Sequence, residues 1–541
     1  MVGIVKVLRE TTSVCPECLA LLPARVYEDG GKVWITRDCA KHGETREVYW
    51  GNARMYELAS RFSHDGKGVG APEVSFDGAK CPFQCGLCKR HKSHTALANL
   101  VVTNRCDLAC WYCFFYRKRG ERVYEPSLAQ IRKMLRALKK QKPVACNALQ
   151  LTGGEPTLRD DLEDVIALCK REGFEHVQLN TNGIRLSRDV ELAKRIRAAG
   201  VGTLYLSFDG VTPQTNPKNH WEIPGVLENC RIAKIGVVLV PTLIRGVNDH
   251  EIGEMIRFAC DNIDVVRGIN FQPVSIVGMV PARERNRMRL TIPDAILEIE
   301  KQTRDEIARF DFFPVPCVTS VTHLAEALHG TPQYELSAHF ACGAATYVFK
   351  DEDGKIIPVT RFIDVQALFA LLEKTASEVR GGKNKTLAKL ELAYAVRKLV
   401  NDERKPKRLD ANRMLKDLLL KGSYDGLREF HHNSLFIGMM HFMDLYNYDV
   451  ERVERCCIHY AMPDGRVVPF CAFNVVPEFY RDSVQKKFSV SRAAWERKHG
   501  RKLADDFYVR KLPAREAQAA PEPPAAAVRT GAAGKVADRN K

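Results

Sequence analysis

Two short stretches of the sequence, CPFQCGLC and CDLACWYC, each hold three cysteines with C-x3-C-x2-C spacing. The residues are Cys81, Cys85 and Cys88 in the first stretch and Cys106, Cys110 and Cys113 in the second. Three thiolates in such a loop can bind three irons of a 4Fe–4S cluster and leave the fourth iron open to another ligand. Both stretches therefore predict iron–sulfur sites.

The second triple stands where a parallel barrel places its active site. It follows the apolar strand LANLVVT, and the next predicted strand ends in LTGGEP. Active sites of parallel barrels gather at the C-terminal ends of the strands. We expect Gly153 and Gly154 to let the backbone approach a ligand closely. Tyr112 would offer an aromatic face to an adenine, and Glu155 would meet an ammonium group.

The first triple lacks this context. It follows SFDGAK instead of a strand, and Leu87 replaces the aromatic residue before the last cysteine. We interpret it as an auxiliary cluster whose fourth ligand is His91, His94, a distant side chain or the substrate. A structural zinc site is the alternative.

Two further groups of residues predict metal sites. CPEC and CAKH supply Cys15, Cys18, Cys39 and His42, and the hairpin pattern between them turns at residues 29–31. Three thiolates and one imidazole suit a structural zinc ribbon or the mononuclear iron of a rubredoxin-like domain.

Far downstream, five cysteines stand in loop-like sequence, and four of them could hold a complete auxiliary cluster. They are Cys317, Cys342, Cys456, Cys457 and Cys471. Neighbouring residues rarely bind the same cubane, so we expect Cys456 to be a ligand and Cys457 to be spare.

The elements that would position these sites alternate between strand and helix patterns from about residue 97 to residue 303. Such alternation predicts a parallel sheet with right-handed crossovers. Six units fall short of a closed eightfold barrel. The predicted segments are a rubredoxin-like metal ribbon over residues 1–75, an auxiliary iron–sulfur segment over 76–97, an α/β partial (β/α)6 barrel over 98–312, a C-terminal cluster-binding α+β domain over 313–512 and a disordered tail over 513–541.

Composition narrows the class of protein. The chain has 541 residues, 45% of them hydrophobic, and a net charge of +16. It has no apolar run long enough to cross a bilayer and no signal-peptide pattern, which predicts a cytoplasmic protein. Its 18 cysteines then favour metal sites over disulfides. The positive charge favours an anionic partner.

The third segment, with CDLACWYC and LTGGEP, resembles the radical S-adenosylmethionine (SAM) superfamily. The resemblance implies that SAM binds the open iron of the Cys106–Cys110–Cys113 cluster and is cleaved to a 5′-deoxyadenosyl radical. It also implies SAM contacts at the strand ends of NTNG, SFDG and FQP. The residues at these positions are Asn180, Asn182, Ser207, Asp209 and Gln272.

Together with CPFQCGLCKRHKSHTALA, ELSAHFACG and IHYAMPDGRVVPFC, these motifs look like the archaeal tetraether lipid synthase group. The resemblance implies three 4Fe–4S clusters, SAM, and one mononuclear iron or zinc. It implies a transferase of lipid biosynthesis that joins the terminal methyl carbons of two phytanyl chains of archaeal ether lipids. The expected partners are these lipids, the inner face of the membrane as a peripheral contact, and a low-potential electron donor such as ferredoxin.

The segment SLFIGMMHFMDLYNY, residues 434–448, is a candidate wall for a lipid tunnel or an ordinary helix core. Basic amphipathic segments over residues 373–425 could lie on an anionic membrane or form a solvated face. The alternative function is a radical SAM methyltransferase that acts on a pterin, or another modification of archaeal lipids. Nucleic-acid binding by a zinc ribbon ranks last because it leaves LTGGEP and both triples unexplained, so no nucleic-acid partner is predicted.

Overall fold

The computed structural model describes residues 6–70, 80–115, 121–278, 280–407, 409–416, 430 and 434–510. The predicted tail over residues 513–541 lies outside the described residues. The strands are β1 (Lys6–Val14), β2 (Leu21–Asp29), β3 (Lys32–Cys39), β4 (Gly43–Trp50), β5 (Leu97–Thr103), β6 (Arg122–Val123), β7 (Ala148–Gly153), β8 (His176–Thr181), β9 (Thr203–Ser207), β10 (Gly236–Val240), β11 (Thr242–Leu243), β12 (Val266–Pro273), β13 (Phe313–Pro314), β14 (Gly343–Lys350), β15 (Ile356–Pro358), β16 (Leu435–Met440), β17 (Ile458–Ala461), β18 (Val467–Pro469) and β19 (Val490–Ser491).

Helices follow most of these strands. They are α1 (Ala53–Ser60), α2 (Leu128–Lys139), α3 (Leu162–Arg171), α4 (Val190–Ala199), α5 (Ile223–Ala233), α6 (Ile252–Asp261), α7 (Arg285–Met288), α8 (Ile292–Gln302), α9 (Thr319–His329), α10 (Val365–Arg380), α11 (Lys385–Arg397), α12 (Ala411–Lys416), α13 (Val450–Glu454), α14 (Phe470–Val475), α15 (Arg481–Phe488) and α16 (Arg492–His499). Within the described ranges, every helix is too short or too polar to cross a lipid bilayer.

The N-terminal ribbon is an antiparallel sheet in the order β1-β2-β3-β4. Asp29 pairs with Lys32, and Gly30 and Gly31 between them have φ values of 60° and 73°. Positive φ at both central residues is the requirement of the tight turn that matches strand twist. The predicted hairpin is confirmed.

The six predicted βα units are confirmed. Strands β5, β7, β8, β9, β10 and β12 lie side by side in parallel, and α2, α3, α4, α5, α6 and α8 follow them in turn. Alternate strand residues such as Leu100, Leu149 and Leu179 are buried among the helices in one apolar core. The opposite residues line the inner face of the curved sheet.

The C-terminal segment completes this sheet at both edges. On one side β16 runs parallel to β12, and β14 pairs antiparallel with β16. On the other side β17 runs parallel to β5. The sheet therefore continues past the predicted boundary at residue 312. Residues 435–440, read as a helical stripe or a tunnel wall, form strand β16.

A buried ion pair joins the ribbon to the C-terminal segment. Asp449 is fully buried and forms a salt bridge with Arg9. It also accepts hydrogen bonds from Tyr49 Oη and Thr11 Oγ1, each at 2.7 Å. Burial raises the pKa of this carboxyl, but Arg9, His339 and the hydrogen bond from Tyr49 together hold it well below its usual range. Asp449 therefore stays ionised and fastens β1 to the C-terminal segment.

Replacing Asp449 by Asn should destabilise the protein by about 3 kcal/mol, because Arg9 would lose its fully buried counter-charge and keep only Glu451 Oε2, at 2.7 Å. Chemical denaturation followed by circular dichroism measures the change. Asp402→Asn is the matched control, since Asp402 is mostly exposed and pairs only with Lys405 in the described structure. Equal stability of the two variants would contradict the fastening role of Asp449.

Candidate active site and metal centres

The cysteine loop, residues 104–115, begins at the C-terminal end of β5. It carries Cys106, Cys110 and Cys113, all half-buried. Burial raises the pKa of Cys110 to about 11, Lys218 opposes that rise, and the neighbouring Cys113 adds to it. Three thiols on one loop, at the edge where the parallel strands end, fit the donor set of a cluster with one open corner.

Two glycines of LTGGEP bring the end of β7 against this loop. Gly154 N donates to Thr103 O at 3.0 Å, and Glu155 N donates to Arg105 O at 2.7 Å. A Cβ at Gly153 would stand 2.1 Å from Thr103 O, and one at Gly154 would stand 2.1 Å from Arg105 O. Both glycines are therefore required for close backbone packing. A ligand approaching the same backbone stays a prediction.

Glu155 is turned toward the neighbouring strand end. Its carboxylate accepts hydrogen bonds from Thr157 Oγ1 and Thr181 Oγ1, each at 2.7 Å, and from Asn182 N at 2.8 Å. Burial and the nearby Asp107 raise the pKa of Glu155 to about 7. These contacts join β7 to the turn after β8, and the predicted contact with an ammonium group stays a prediction.

A polar triad joins Tyr112 of the cysteine loop to Asp209 and Lys218. Lys218 Nζ lies 2.6 Å from Asp209 Oδ2 and donates to Tyr112 Oη at 2.9 Å. Tyr112 Oη donates to the same carboxylate. All three side chains meet at the C-terminal edge of the sheet. Sequence reasoning missed Lys218, which stands in the loop after β9 with no motif around it.

The other predicted SAM contacts occupy the same edge. Asn182 Nδ2 donates to Asp107 Oδ1 at 2.6 Å, which ties the turn after β8 to the cysteine loop. Asn180 Nδ2 lies 3.4 Å from Thr152 Oγ1. The carbonyl of Ser207 accepts from Asn219 Nδ2 at 2.7 Å. Gln272 pairs through its backbone with the segment around β11, and its side chain is half-buried.

The N-terminal ribbon assembles Cys15, Cys18, Cys39 and His42 into one group. His42 Nδ1 lies 3.4 Å from Cys15 Sγ and 3.6 Å from Cys39 Sγ, and the Sγ atoms of Cys18 and Cys39 are 3.8 Å apart. Tetrahedral zinc would space sulfurs by about 3.8 Å and sulfur from nitrogen by about 3.6 Å. The Lys41 N–H and the His42 side chain lower the pKa of Cys39 to about 6, which favours the thiolate ligand.

The first triple lies against the C-terminal segment. Cys81 and Cys85 are buried and Cys88 is half-buried, and Tyr480 Oη accepts from Cys85 N at 2.8 Å. Both candidate histidines have other partners. His91 Nε2 lies 2.8 Å from the Cys456 carbonyl oxygen, and His94 Nε2 accepts from Glu335 N at 3.1 Å.

Four of the five downstream cysteines influence one another electrostatically. Burial raises the pKa of Cys456 strongly, and Cys471, Cys457 and Cys342 add to that rise, so these four thiols are neighbours. Burial alone raises the pKa of Cys317, with no contribution from another cysteine. The role of Cys317 as a cluster ligand stays a prediction.

Arg452 lies beside the grouped thiols, and its Nε donates to Cys342 Sγ at 3.3 Å. Its positive charge also lowers the pKa of Cys471, which burial raises to about 11. A cluster held by Cys317, Cys342, Cys456 and Cys471 stays a prediction, which the mutual influence of the last three thiols supports.

Replacing Gly154 by Ala should lower SAM cleavage about tenfold or more and lower bound iron by up to one 4Fe–4S cluster per chain, because a Cβ there would push the cysteine loop away. Iron analysis and release of 5′-deoxyadenosine measure the effect. Gly202→Ala is the matched control, since a Cβ at Gly202 meets nothing nearer than 4.0 Å. Normal iron content in the Gly154 variant would show that the close packing is dispensable.

Two family models match parts of the chain. Residues 100–259 match the model of the radical SAM superfamily, and residues 7–51 match an HMPTM N-terminal zinc ribbon domain. A GTP 3′,8-cyclase of Aquifex aeolicus is 28% identical over 40% of this chain and 66% of its own length. The alignment with the crystal structure of HydG, a hydrogenase maturase, spans 39% of this chain and 50% of the HydG chain. The sequence identity is 17% and the TM-score is 0.32.

One relative aligns with nearly the whole chain. It is the 7,8-dihydro-6-hydroxymethylpterin dimethyltransferase of Methanocaldococcus jannaschii, 44% identical over 91% of this chain and 97% of its own length. This relative overturns the predictions of tetraether synthesis, phytanyl lipid substrates and a membrane partner, because its substrate is a pterin and its reaction is methyl transfer. The chain therefore belongs to the radical SAM family that includes this pterin dimethyltransferase.

Proposed function

We propose that this protein is a radical SAM methyltransferase that acts on a pterin. The observation that carries the proposal is the relative with pterin dimethyltransferase activity, which is 44% identical and is covered over 97% of its length. The residues that match the HMPTM zinc-ribbon model, 7–51, form the four-stranded sheet with the Cys15–His42 metal group.

Cys106, Cys110 and Cys113 would hold the 4Fe–4S cluster that SAM binds. With both groups bound, the cluster and SAM supply electron transfer and radical chemistry. The protein's own part is to fix the cysteine loop against β7, through the hydrogen bonds that Thr103 O and Arg105 O accept. The ribbon ligands would hold one zinc or iron ion.

The inner face of the barrel suits a polar heterocycle. Asn99, Gln150 and Gln178 stand in register on three neighbouring strands, and Gln178 Nε2 donates to Gln150 Oε1 at 2.7 Å. Other amide and hydroxyl side chains on strands of this face are Thr152, Asn180, Asn270 and Gln272. Burying an alkyl chain against such groups would cost their hydrogen bonds to water, whereas a pterin offers ring nitrogens and an amide to pair with them.

One buried donor on this face supports the same substrate class. Asn99 Nδ2 is buried and has no hydrogen-bond partner among the described residues. An unpaired buried amide costs about 1–3 kcal/mol, which a ligand acceptor can recover. Phe436 on β16 adds an apolar surface beside Gly268 of β12, on which a flat ring can pack.

The test is an anaerobic incubation of the reconstituted protein with 7,8-dihydro-6-hydroxymethylpterin, SAM and dithionite, read by mass spectrometry. We expect the pterin to gain two methyl groups. Cys106→Ala should abolish the gain because the cluster would lose one of its three thiolates. Cys260→Ala, in the buried face of α6, is the matched control and should retain it.

Recovery of unmodified pterin from wild-type protein that does cleave SAM would overturn the substrate assignment. Retained methylation in Cys106→Ala would instead overturn the role of the cysteine loop. The two results are distinguishable because SAM cleavage is measured in the same samples.

A further inference from the structure

Away from the cysteine sites, three side chains converge where the segment after α1 meets α9 and the loop that follows α9. They are His64, His323 and Glu335, whose ligand atoms all lie within 4.8 Å of one another. The Nε2 atoms of both imidazoles face the same carboxylate oxygen, Glu335 Oε1, at 2.9 Å for His64 and 3.4 Å for His323. Tetrahedral zinc bound by nitrogen and oxygen would space its ligand atoms by about 3.3 Å.

A carboxylate contacts the His323 imidazole on the side away from Glu335. Its Nδ1 lies 2.7 Å from Glu373 Oε2, and Arg380 Nη2 holds the other oxygen of Glu373 at 3.2 Å. A histidine that binds metal through one nitrogen commonly donates the other N–H to a carboxylate, which fixes the tautomer and the orientation of the ring. His323 has this arrangement, with Nε2 directed to the centre of the group.

Glu335 is fixed in the same way. Its Oε2 accepts a hydrogen bond from Lys67 N at 3.2 Å, and the Lys67 ammonium is paired with Glu326 at 2.5 Å. The Glu335 backbone N–H donates to His94 Nε2 at 3.1 Å. With its second oxygen and its backbone engaged, Glu335 turns Oε1 toward the two imidazoles.

Charge and exposure also suit a cation. The carboxylates of Glu335, Glu373 and Glu326 face the cations of Lys67 and Arg380, so the group is net negative when both imidazoles are neutral. The His64 side chain is 33% exposed, whereas that of Glu335 is 2% exposed. One side of the group is therefore open to a water ligand, as in zinc sites with three protein ligands.

We propose that His64, His323 and Glu335 bind a divalent cation of the zinc class, with water as the fourth ligand. Two imidazoles and one carboxylate favour zinc over magnesium or calcium, which prefer oxygen ligands. The ion links the segment that leaves the ribbon to the helices that follow the barrel. It is a separate site from the thiolate-rich Cys15–His42 group.

The test uses the full chain with reconstituted clusters, dialysed anaerobically against zinc and analysed by mass spectrometry for metals. His64→Ala should retain one zinc ion fewer than wild type. His329→Ala is the matched control, because His329 is exposed at the end of the same helix as His323. Zinc K-edge absorption should lose most nitrogen and oxygen scatterers at about 2.0 Å in His64→Ala. It should keep the single nitrogen of His42 and the sulfur scatterers at about 2.3 Å.

Glu373→Gln supplies a graded readout that does not remove a ligand. It should weaken zinc binding at this site about 10–100-fold, as expected for loss of the carboxylate behind a ligating histidine. Equal zinc content and equal scattering in wild type and His64→Ala would overturn the proposal and leave a hydrogen-bonded cluster. If His64→Ala does not fold, the affinity of Glu373→Gln decides: unchanged binding overturns the site.

Discussion

The cysteine loop stays in place because two main chains touch where no side chain could fit. Gly153 and Gly154 lie so close to Thr103 O and Arg105 O that a Cβ on either would overlap a carbonyl oxygen. The loop is thus registered to β7 by backbone hydrogen bonds, which are less adjustable than side-chain packing. A cofactor bound by this loop inherits the position of two neighbouring parallel strands.

Further polar contacts link the cysteine loop to the other strand ends at the C-terminal edge of the sheet. The Glu155 carboxylate accepts a hydrogen bond from Asn182 N in the turn after β8. The Asn182 side chain in turn donates to Asp107 in the cysteine loop. Arg105 reaches Asp506 at 2.9 Å, so the C-terminal segment braces the loop from the other side. Each contact involves a buried charge or amide, and loss of one partner leaves the other unsatisfied.

Local sequence patterns predicted the βα units of the barrel. They did not predict which distant strands pair with the edges of its sheet. All six βα units follow from alternation of strand and helix periods, which is a local signal. Strands β16 and β17 join the sheet beside β12 and β5 from far along the chain. The apolar run LFIGMM gave no period that separates a strand from a helix, and its methionines suggested a tunnel wall. The ribbon was readable because its ligands and its turn both lie within about 30 residues.

The cysteines and the substrate are specified by different parts of the chain. Thiolate spacing defines a cofactor shared by many reactions, and the tetraether resemblance drew on cysteine-rich segments. The proposed substrate would contact the inner face. Each strand contributes one or two residues to this face, and they become neighbours only through the register of the strands. Gln150 and Gln178 show this, since they meet at 2.7 Å although 28 residues separate them. Lys218 shows it too, because only the fold brings its ammonium to Asp209 and Tyr112. The cofactor class could therefore be inferred from motifs, whereas the motifs led to the wrong reaction and substrate, which the pterin dimethyltransferase relative corrected.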